Sequence, residues 1–247
     1  MLTIPTPPWT GLGKKLESAV RKALFDFQLL QDAQKIAVAV SGGKDSVALL
    51  ALLKAISGRG FPAFDIVAIH VAGEFSCGAQ ISTHFLKNIC DGLGVPLVTH
   101  HSTKKLEDLE CYSCSRERRS LLFAAAKEEG CSTIAFGHHQ DDNAQTVLMN
   151  LFHKGEFVGM LPKIAMVDYD ITIIRPLVYI EESEIRTFAE QYSFSRITCQ
   201  CPVGQNSLRK KTEKLLQEIE ELYPNARANI AHSSLIYGSD KARKTCT

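Results

Sequence analysis

The chain has 247 residues, 45% of them apolar, and a formal net charge of +1. Such a chain can bury a sizeable core as one large domain or one and a half, and its near-neutral charge means that any polyanion must be held by a local patch. The longest apolar run, residues 47–53, is too short to cross a bilayer, and the proline-bearing start MLTIPTPPWTGLG lacks the basic opening of a secretion signal, so no membrane and a cytoplasmic location are expected.

Leu12, Leu16, Ala19, Val20, Ala23, Leu24, Phe27 and Leu30 form a helical stripe, predicting an amphipathic N-terminal helix with Lys14, Lys15, Arg21 and Lys22 on its wet face. Residues 36–40 are a short β-rich apolar run of the kind buried on both faces of a sheet. Further strands are expected at 64–70, 95–98, 132–136 and 171–174, with helices at 79–93, 115–129 and 144–152 between them. From residue 181 onward the pattern is helical, over 182–192, 207–222 and 226–237, and 238–247 reads as a frayed end. Strands alternating with helices predict an α/β fold: a Rossmann-like, doubly wound, mainly parallel five-stranded sheet with an N-terminal helix and a helical C-terminal tail. The expected organisation is a helical segment at 1–31, a nucleotide-binding domain at 32–195 and a helical region at 196–247.

The first strand runs into Ser41-Gly42-Gly43-Lys44-Asp45-Ser46 and then into the apolar, helix-favouring run 47–53. A strand turning through two glycines into a helix gathers backbone N–H groups and the positive end of the helix dipole, which makes an anion site. Gly42 and Gly43 permit positive φ and close approach of a phosphate, Ser41 and Ser46 offer hydroxyls, and Lys44 offers a charge. The spacing matches neither the Walker loop nor G-x-G-x-x-G. Asp45 beside a triphosphate makes sense as a Mg²⁺ partner, whereas the plainer alternative is a glycine turn capped by Asp45 or Ser46. Ligands of such sheets lie beyond the carboxyl ends of the strands, where His70 to Gly73 and the G-H-x-x-D-D run from Gly137 to Asp142 also fall. Asp141 or Asp142 could equally cap the helix that follows.

Eight cysteines, with no disulfide-framework context, point to metal or redox chemistry. Cys111 and Cys114 form a C-x-x-C just before a helix, and Cys199 and Cys201 follow late. A four-thiolate zinc site, a redox pair and iron–sulfur ligation are the candidate readings, the Cys201-Pro202 step favouring iron–sulfur. Cys77, Cys90, Cys131 and Cys246 read as isolated small hydrophobes or thiols. Basic runs flank the cysteines: Lys104 and Lys105, then Arg116, Arg118 and Arg119, then Arg209, Lys210, Lys211 and Lys214. Each alone reads as a solvated helix face, but runs that meet around one cluster suit nucleic-acid phosphates, with Tyr112 available to stack on a base.

The SGGKDS loop resembles that of the PP-loop ATP pyrophosphatases. With C-x-x-C, Arg118-Arg119, Gly137 to Asp142, Arg175-Pro176-Leu177 and a late Cys, the run from about residue 35 to 223 resembles the tRNA 2-thiocytidine synthetase group. That resemblance implies an ATP- and Mg²⁺-dependent tRNA thiolase that adenylylates the C2 oxygen of a cytidine and replaces it with sulfur carried on a [4Fe–4S] cluster. It implies cluster ligation by Cys111, Cys114 and Cys201, ATP contacts from the loop and from His70, Gly137 and Asp142, and RNA contacts from Arg118, Arg119, Arg209, Lys210 and Lys211. A sulfur donor such as a cysteine desulfurase and a homodimer are also implied. Two departures stand out. C-x-C replaces the family's usual late C-x-x-C, which keeps Cys199 as an alternative third ligand, and His70-Val71-Ala72 lacks the acidic residue common after strand two. The rival readings are a 2-thiouridine tRNA thiolase, a tRNA lysidine synthetase, or a non-catalytic nucleotide-binding module with structural zinc.

Overall fold

Two-sided burial decides the architecture. In β1 (Lys35–Ala39) Ile36 and Val38 enter one hydrophobic cluster while Ala37 enters another, because successive side chains of a strand face opposite ways. The same division holds in β2 (Asp65–Ala72), where Ile66 and Ala68 face one cluster and Val67, Ile69 and Val71 the other. It recurs in β4 (Thr133–Ala135) and β6 (Ile171–Ile174). A sheet apolar on both faces needs helices on both faces. The structure, a computed structural model, describes residues 3–9, 11–31, 33–73, 83–102, 111–194 and 208–238, and the backbone alone at 111–115.

One face is covered by α1 (Gly11–Asp26), α2 (Lys44–Ile56), α3 (Thr83–Leu93) and α6 (Glu182–Gln191). The other is covered by α4 (Cys111–Glu128), through Leu122, Phe123, Ala125 and Ala126. Helix α2 is apolar nearly all round, and only Lys44, Asp45 and Lys54 escape burial, as befits a helix lying between sheet and outer helices. Helix α5 (Gln140–Lys154) packs with α7 (Leu208–Leu222) and α8 (Ala226–Tyr237) around Ala144, Leu148, Leu216 and Ala231.

With β3 (Leu97–His101) and β5 (Lys163–Met166) the sheet has six strands in the order β3-β2-β1-β4-β6-β5. Neighbours are parallel except β5, which runs antiparallel to β6 at the edge. The doubly wound α/β fold is therefore as expected, with one strand more than the five read from the sequence. Strand β5 is four residues long and none of them is fully buried, so it leaves little periodic signal. A second difference lies at α4, which begins at Cys111 rather than at residue 115, so the C-x-x-C occupies its first turn. The run Cys-Tyr-Ser-Cys-Ser-Arg-Glu-Arg-Arg has no apolar stripe to announce a helix, and the stripe begins only at Leu121. Among the described residues no helix is long and apolar enough to cross a membrane.

Candidate active site

The strand order reverses between β1 and β4, and a doubly wound sheet opens a crevice at such a point, beyond the carboxyl ends of its strands. The turns after β1 and β4 flank that crevice. In the first, Gly42 holds φ at 84°, left-handed backbone that most side chains resist. Gly43 caps α2 in extended conformation with no side-chain cap, leaving the first N–H groups of the helix to a ligand. The two serines brace the loop from within. Ser46 Oγ donates to the Gly43 carbonyl at 2.9 Å and accepts the Ser41 N–H at 3.2 Å, and Ser41 Oγ accepts the Gly43 N–H at 3.3 Å.

Lys44 Nζ lies 3.0 Å from Asp45 Oδ1 and 2.8 Å from Glu182 Oε1. Burial opposes its charge, but Asp45 and Glu182 outweigh that and raise its pKa. Asp45 Oδ1 is buried and accepts no directed hydrogen bond, although the ammonium is near. A carboxylate oxygen left open in a phosphate loop fits a divalent cation. Across the crevice, a Cβ on Gly137 would sit 3.0 Å from the Asp45 carbonyl carbon and the Ser46 nitrogen, so this glycine lets the turn after β4 close against the first turn of α2. The sequence reading assigns that space to the nucleotide, whereas the structure fills it with the loop's own backbone.

The turn after β4 is dense in charge. Asp142 Oδ2 accepts the His139 N–H at 3.2 Å, reciprocally capping α5, and Oδ1 pairs with Arg209 Nη1 at 2.7 Å. The His139 ring reaches three carboxylates: Asp45 Oδ1 at 3.9 Å, Asp141 Oδ2 at 3.5 Å and Asp142 Oδ2 at 3.5 Å. Burial opposes its protonation, yet Asp141, Asp142 and Asp45 hold its pKa above the ordinary imidazole value. Asp142, where burial alone would favour the neutral acid, is held below the ordinary carboxylate range by His139 and Arg209. His138 behaves oppositely. Stacked on Phe136 at 5.7 Å between centroids, it is pushed by burial down to about 4 against the pull of Asp142, with Arg175, Arg209 and His139 adding to the fall.

The C-terminal helices reach into this turn. Asp141 accepts the Glu182 N–H at 2.8 Å and lies 3.4 Å from Arg227 Nη1, which also forks onto Glu213 and Glu220. Asn143, fully inside, donates to the Ala231 carbonyl at 3.1 Å and to Ser234 Oγ at 3.0 Å, and accepts the Met160 N–H at 2.6 Å. The loop lysine, both aspartates of the second turn and α7–α8 thus belong to one electrostatic network.

The remaining residues singled out in the sequence divide clearly. His70 is buried and its Nδ1 lies 2.8 Å from the Val40 carbonyl, so that nitrogen carries the proton and the ring steadies the end of β1. Burial lowers the His70 pKa in spite of that bond, with Arg118 and His101 adding to the fall. Arg118 is half-buried and Arg119 exposed on α4, and Lys210 and Lys211 are exposed on α7. Arg209, read from the sequence as an RNA contact, is the partner of Asp142. The backbone of Cys111 and Cys114 forms the first turn of α4, whereas Cys199 and Cys201 lie outside the described residues. Cys90 and Cys131 are buried free thiols, the former pushed by burial up to about 11. Among the described residues no group of three His, Cys, Asp or Glu side chains is set to hold a metal by itself. Mg²⁺ asks less of the protein, since one or two carboxylates and the phosphates of its nucleotide suffice.

Sequence reasoning missed Glu182 and Arg227, and it quoted Arg175 within the Arg175-Pro176-Leu177 run without giving it a role.

The PP-loop domain family matches residues 12–198. A tRNA-cytidine(32) 2-sulfurtransferase of Geobacter metallireducens is 36% identical over 224 residues, covering 88% of this chain and 87% of that protein. A tRNA-cytidine(32) 2-sulfurtransferase of Verminephrobacter eiseniae is 35% identical, covering 95% of this chain and 79% of that protein. Among solved structures, the U34-tRNA thiolase NcsA of Methanococcus maripaludis, determined with its [4Fe-4S] cluster, superposes with a TM-score of 0.74 at 24% identity, over 92% of this chain and 80% of that one. This likeness establishes a shared fold.

Proposed function

The chain belongs to the PP-loop domain family, and from that premise we infer that it is an ATP-dependent tRNA sulfurtransferase acting on a cytidine. The observation that carries the reading is the pairing of an open helix N-terminus at Gly43–Lys44 with the orphan Asp45 carboxylate oxygen, opposite Asp142 across the strand-order reversal. Relatives named for cytidine 2-sulfur transfer over most of the chain supply the substrate class.

In this reading the loop N–H groups and Lys44 would receive the ATP phosphates and Asp45 would hold Mg²⁺, which would neutralise phosphate charge, while Asp142, engaged by Arg209 and the His139 N–H, would order the facing turn. The carbonyl oxygen of the cytidine C2 attacks the α-phosphorus, pyrophosphate leaves, and the adenylylated base becomes open to displacement of AMP by sulfur. The protein's part is alignment and charge neutralisation. Lys44 is held by Glu182 and Asp45 beside the loop. A [4Fe–4S] cluster on Cys111, Cys114 and Cys201, with Cys199 as the alternative third ligand, would deliver the sulfur, helped by a donor such as a cysteine desulfurase. Exposed Lys210 and Lys211, with Arg118 and Arg119, would bind RNA phosphates. The protein would work in the cytoplasm, where its tRNA is, and a homodimer is the proposed assembly.

The test is to purify the protein anaerobically, assay iron, sulfide and zinc, and incubate it with ATP, Mg²⁺, a sulfur source and bulk tRNA. Digested nucleosides should contain new 2-thiocytidine in step with AMP and pyrophosphate. New 2-thiouridine or lysidine would instead assign the chain to those activities, and stoichiometric zinc without iron would sink the cluster-borne sulfur step.

A further inference from the structure

Arg175 is the residue that the network above leaves unbalanced. It follows β6 directly, level with the turn after β4, since the Phe136 N–H donates to the Ile174 carbonyl at 2.9 Å. Its Nη1 donates to the Leu161 carbonyl, while its Nε is buried without a partner. Among the described residues no carboxylate stands within 4.0 Å of it. Asp142 is near enough to act on it, but both oxygens of Asp142 are already engaged, by Arg209 and by the His139 N–H. The other charge that acts on it is a second guanidinium, Arg119 of α4.

Arg175 is half-buried, and a guanidinium whose inner nitrogen lacks a partner is costly unless an anion completes it. Arginine is also the side chain whose planar fork matches phosphate oxygens. We propose that Arg175 is a second phosphate-binding position, on the Asp142 side of the crevice and separate from the glycine loop. Arg119 and Arg116 lie exposed one turn apart on α4. Leu161 tethers one nitrogen and leaves Nε to the ligand. The inference rests on the ATP- and tRNA-directed reading above, and two sources share its chemistry: a nucleotide phosphate of ATP, or a backbone phosphate of the RNA.

The experiment compares the parent protein with Arg175→Met, which keeps length and loses the charge, and Arg175→Lys, which keeps the charge and loses the fork. Dialysis measures ATP–Mg²⁺ affinity, filter binding measures tRNA affinity across a salt series, and circular dichroism follows melting. With the fold retained, Arg175→Met should weaken at least one ligand by fivefold or more, with Arg175→Lys intermediate. A loss confined to ATP assigns the nucleotide phosphate, and a loss confined to tRNA, with a shallower salt dependence, assigns the backbone phosphate. Changes below fivefold for both ligands overturn the proposal. If Arg175→Met does not fold, Arg175→Lys decides by the same threshold set at twofold. A parent that binds neither ATP nor tRNA overturns the functional reading itself, and this inference with it.

Discussion

Asp45 has a buried oxygen that accepts no directed hydrogen bond, and its ion-pair partner Lys44 keeps a second carboxylate in Glu182 when Asp45 is replaced. Asp45→Asn should therefore melt within a few degrees of the parent while ATP-dependent AMP release falls by about a hundredfold or more, as expected where transition-state charge loses its stabiliser. Parental AMP release by the variant would remove Asp45 from the chemistry. The neighbouring histidines make a separate test, because their environments pull them apart. His138, held near 4 when folded against 6.5 when free, stays neutral in the fold while the unfolded chain takes up its proton. Stability from this group is therefore present above about pH 6.5 and lost as pH falls towards 4, by an amount on the order of 3 kcal/mol at the lower end. His139 has the opposite sign, contributing below its unfolded pKa and losing that contribution as pH rises through its higher folded value. His138→Asn should flatten the loss of melting temperature between pH 6.5 and 4. An acid limb identical to the parent's would show that His138 is not its source.

Two elements carry the site, the loop leading into α2 and the turn leading into α5, and Gly137 is where they touch. An added Cβ would meet Asp45 and Ser46 backbone at 3.0 Å, and backbone cannot yield as a side-chain tip can. Gly137→Ala should cost about 1–3 kcal/mol, the usual range for overpacking, and should weaken ATP binding because the loop is what moves. Unaltered melting and ATP affinity would mean that the two turns are looser than this packing implies. Helix α7 separates into two roles along one basic run. Arg209 balances a buried carboxylate, so its removal would confound any RNA measurement, whereas Lys210 and Lys211 are exposed. Changing Lys210 and Lys211 together to Ala should weaken tRNA binding and reduce the log–log salt slope by about one unit per lost phosphate contact. An unchanged slope would leave them as a wet helix face.

At the scale of the whole molecule, α7 and α8 are fastened to α5 at the very turn that holds the site. Asn143 satisfies three groups across that junction, and Arg227 joins Asp141 to Glu213 and Glu220. Leu208 and Arg209 resume the described chain beside Asp142, seven and eight residues after Cys201. Single Cys→Ala proteins reconstituted anaerobically with iron and sulfide should lose the cluster at Cys111, Cys114 and Cys201, and keep it at Cys90 and Cys131, both of which are buried in the core clusters. Loss at Cys199 but not at Cys201 would exchange the third ligand, and retention in all would reject the thiolate set.

The sequence by itself determined the elements that repeat a local pattern. Residues 36–40 and 64–70 announce strands because both of their faces are apolar, and Ser41 to Ser46 announces an anion loop because glycines, strand and helix are contiguous. It was silent on β5, whose residues are too exposed to show a period, and it placed the start of α4 late, because the first turn of that helix has no apolar stripe. Only the tertiary structure decided the partners. Asp142 meets Arg209 from 67 residues away, Lys44 meets Glu182, and Arg175 ends half-buried with its Nε unpartnered. The physical reason is that periodicity records which side of an element is buried, within one or two turns of chain. An ion pair between distant residues depends on where the chain returns, and no local pattern records that.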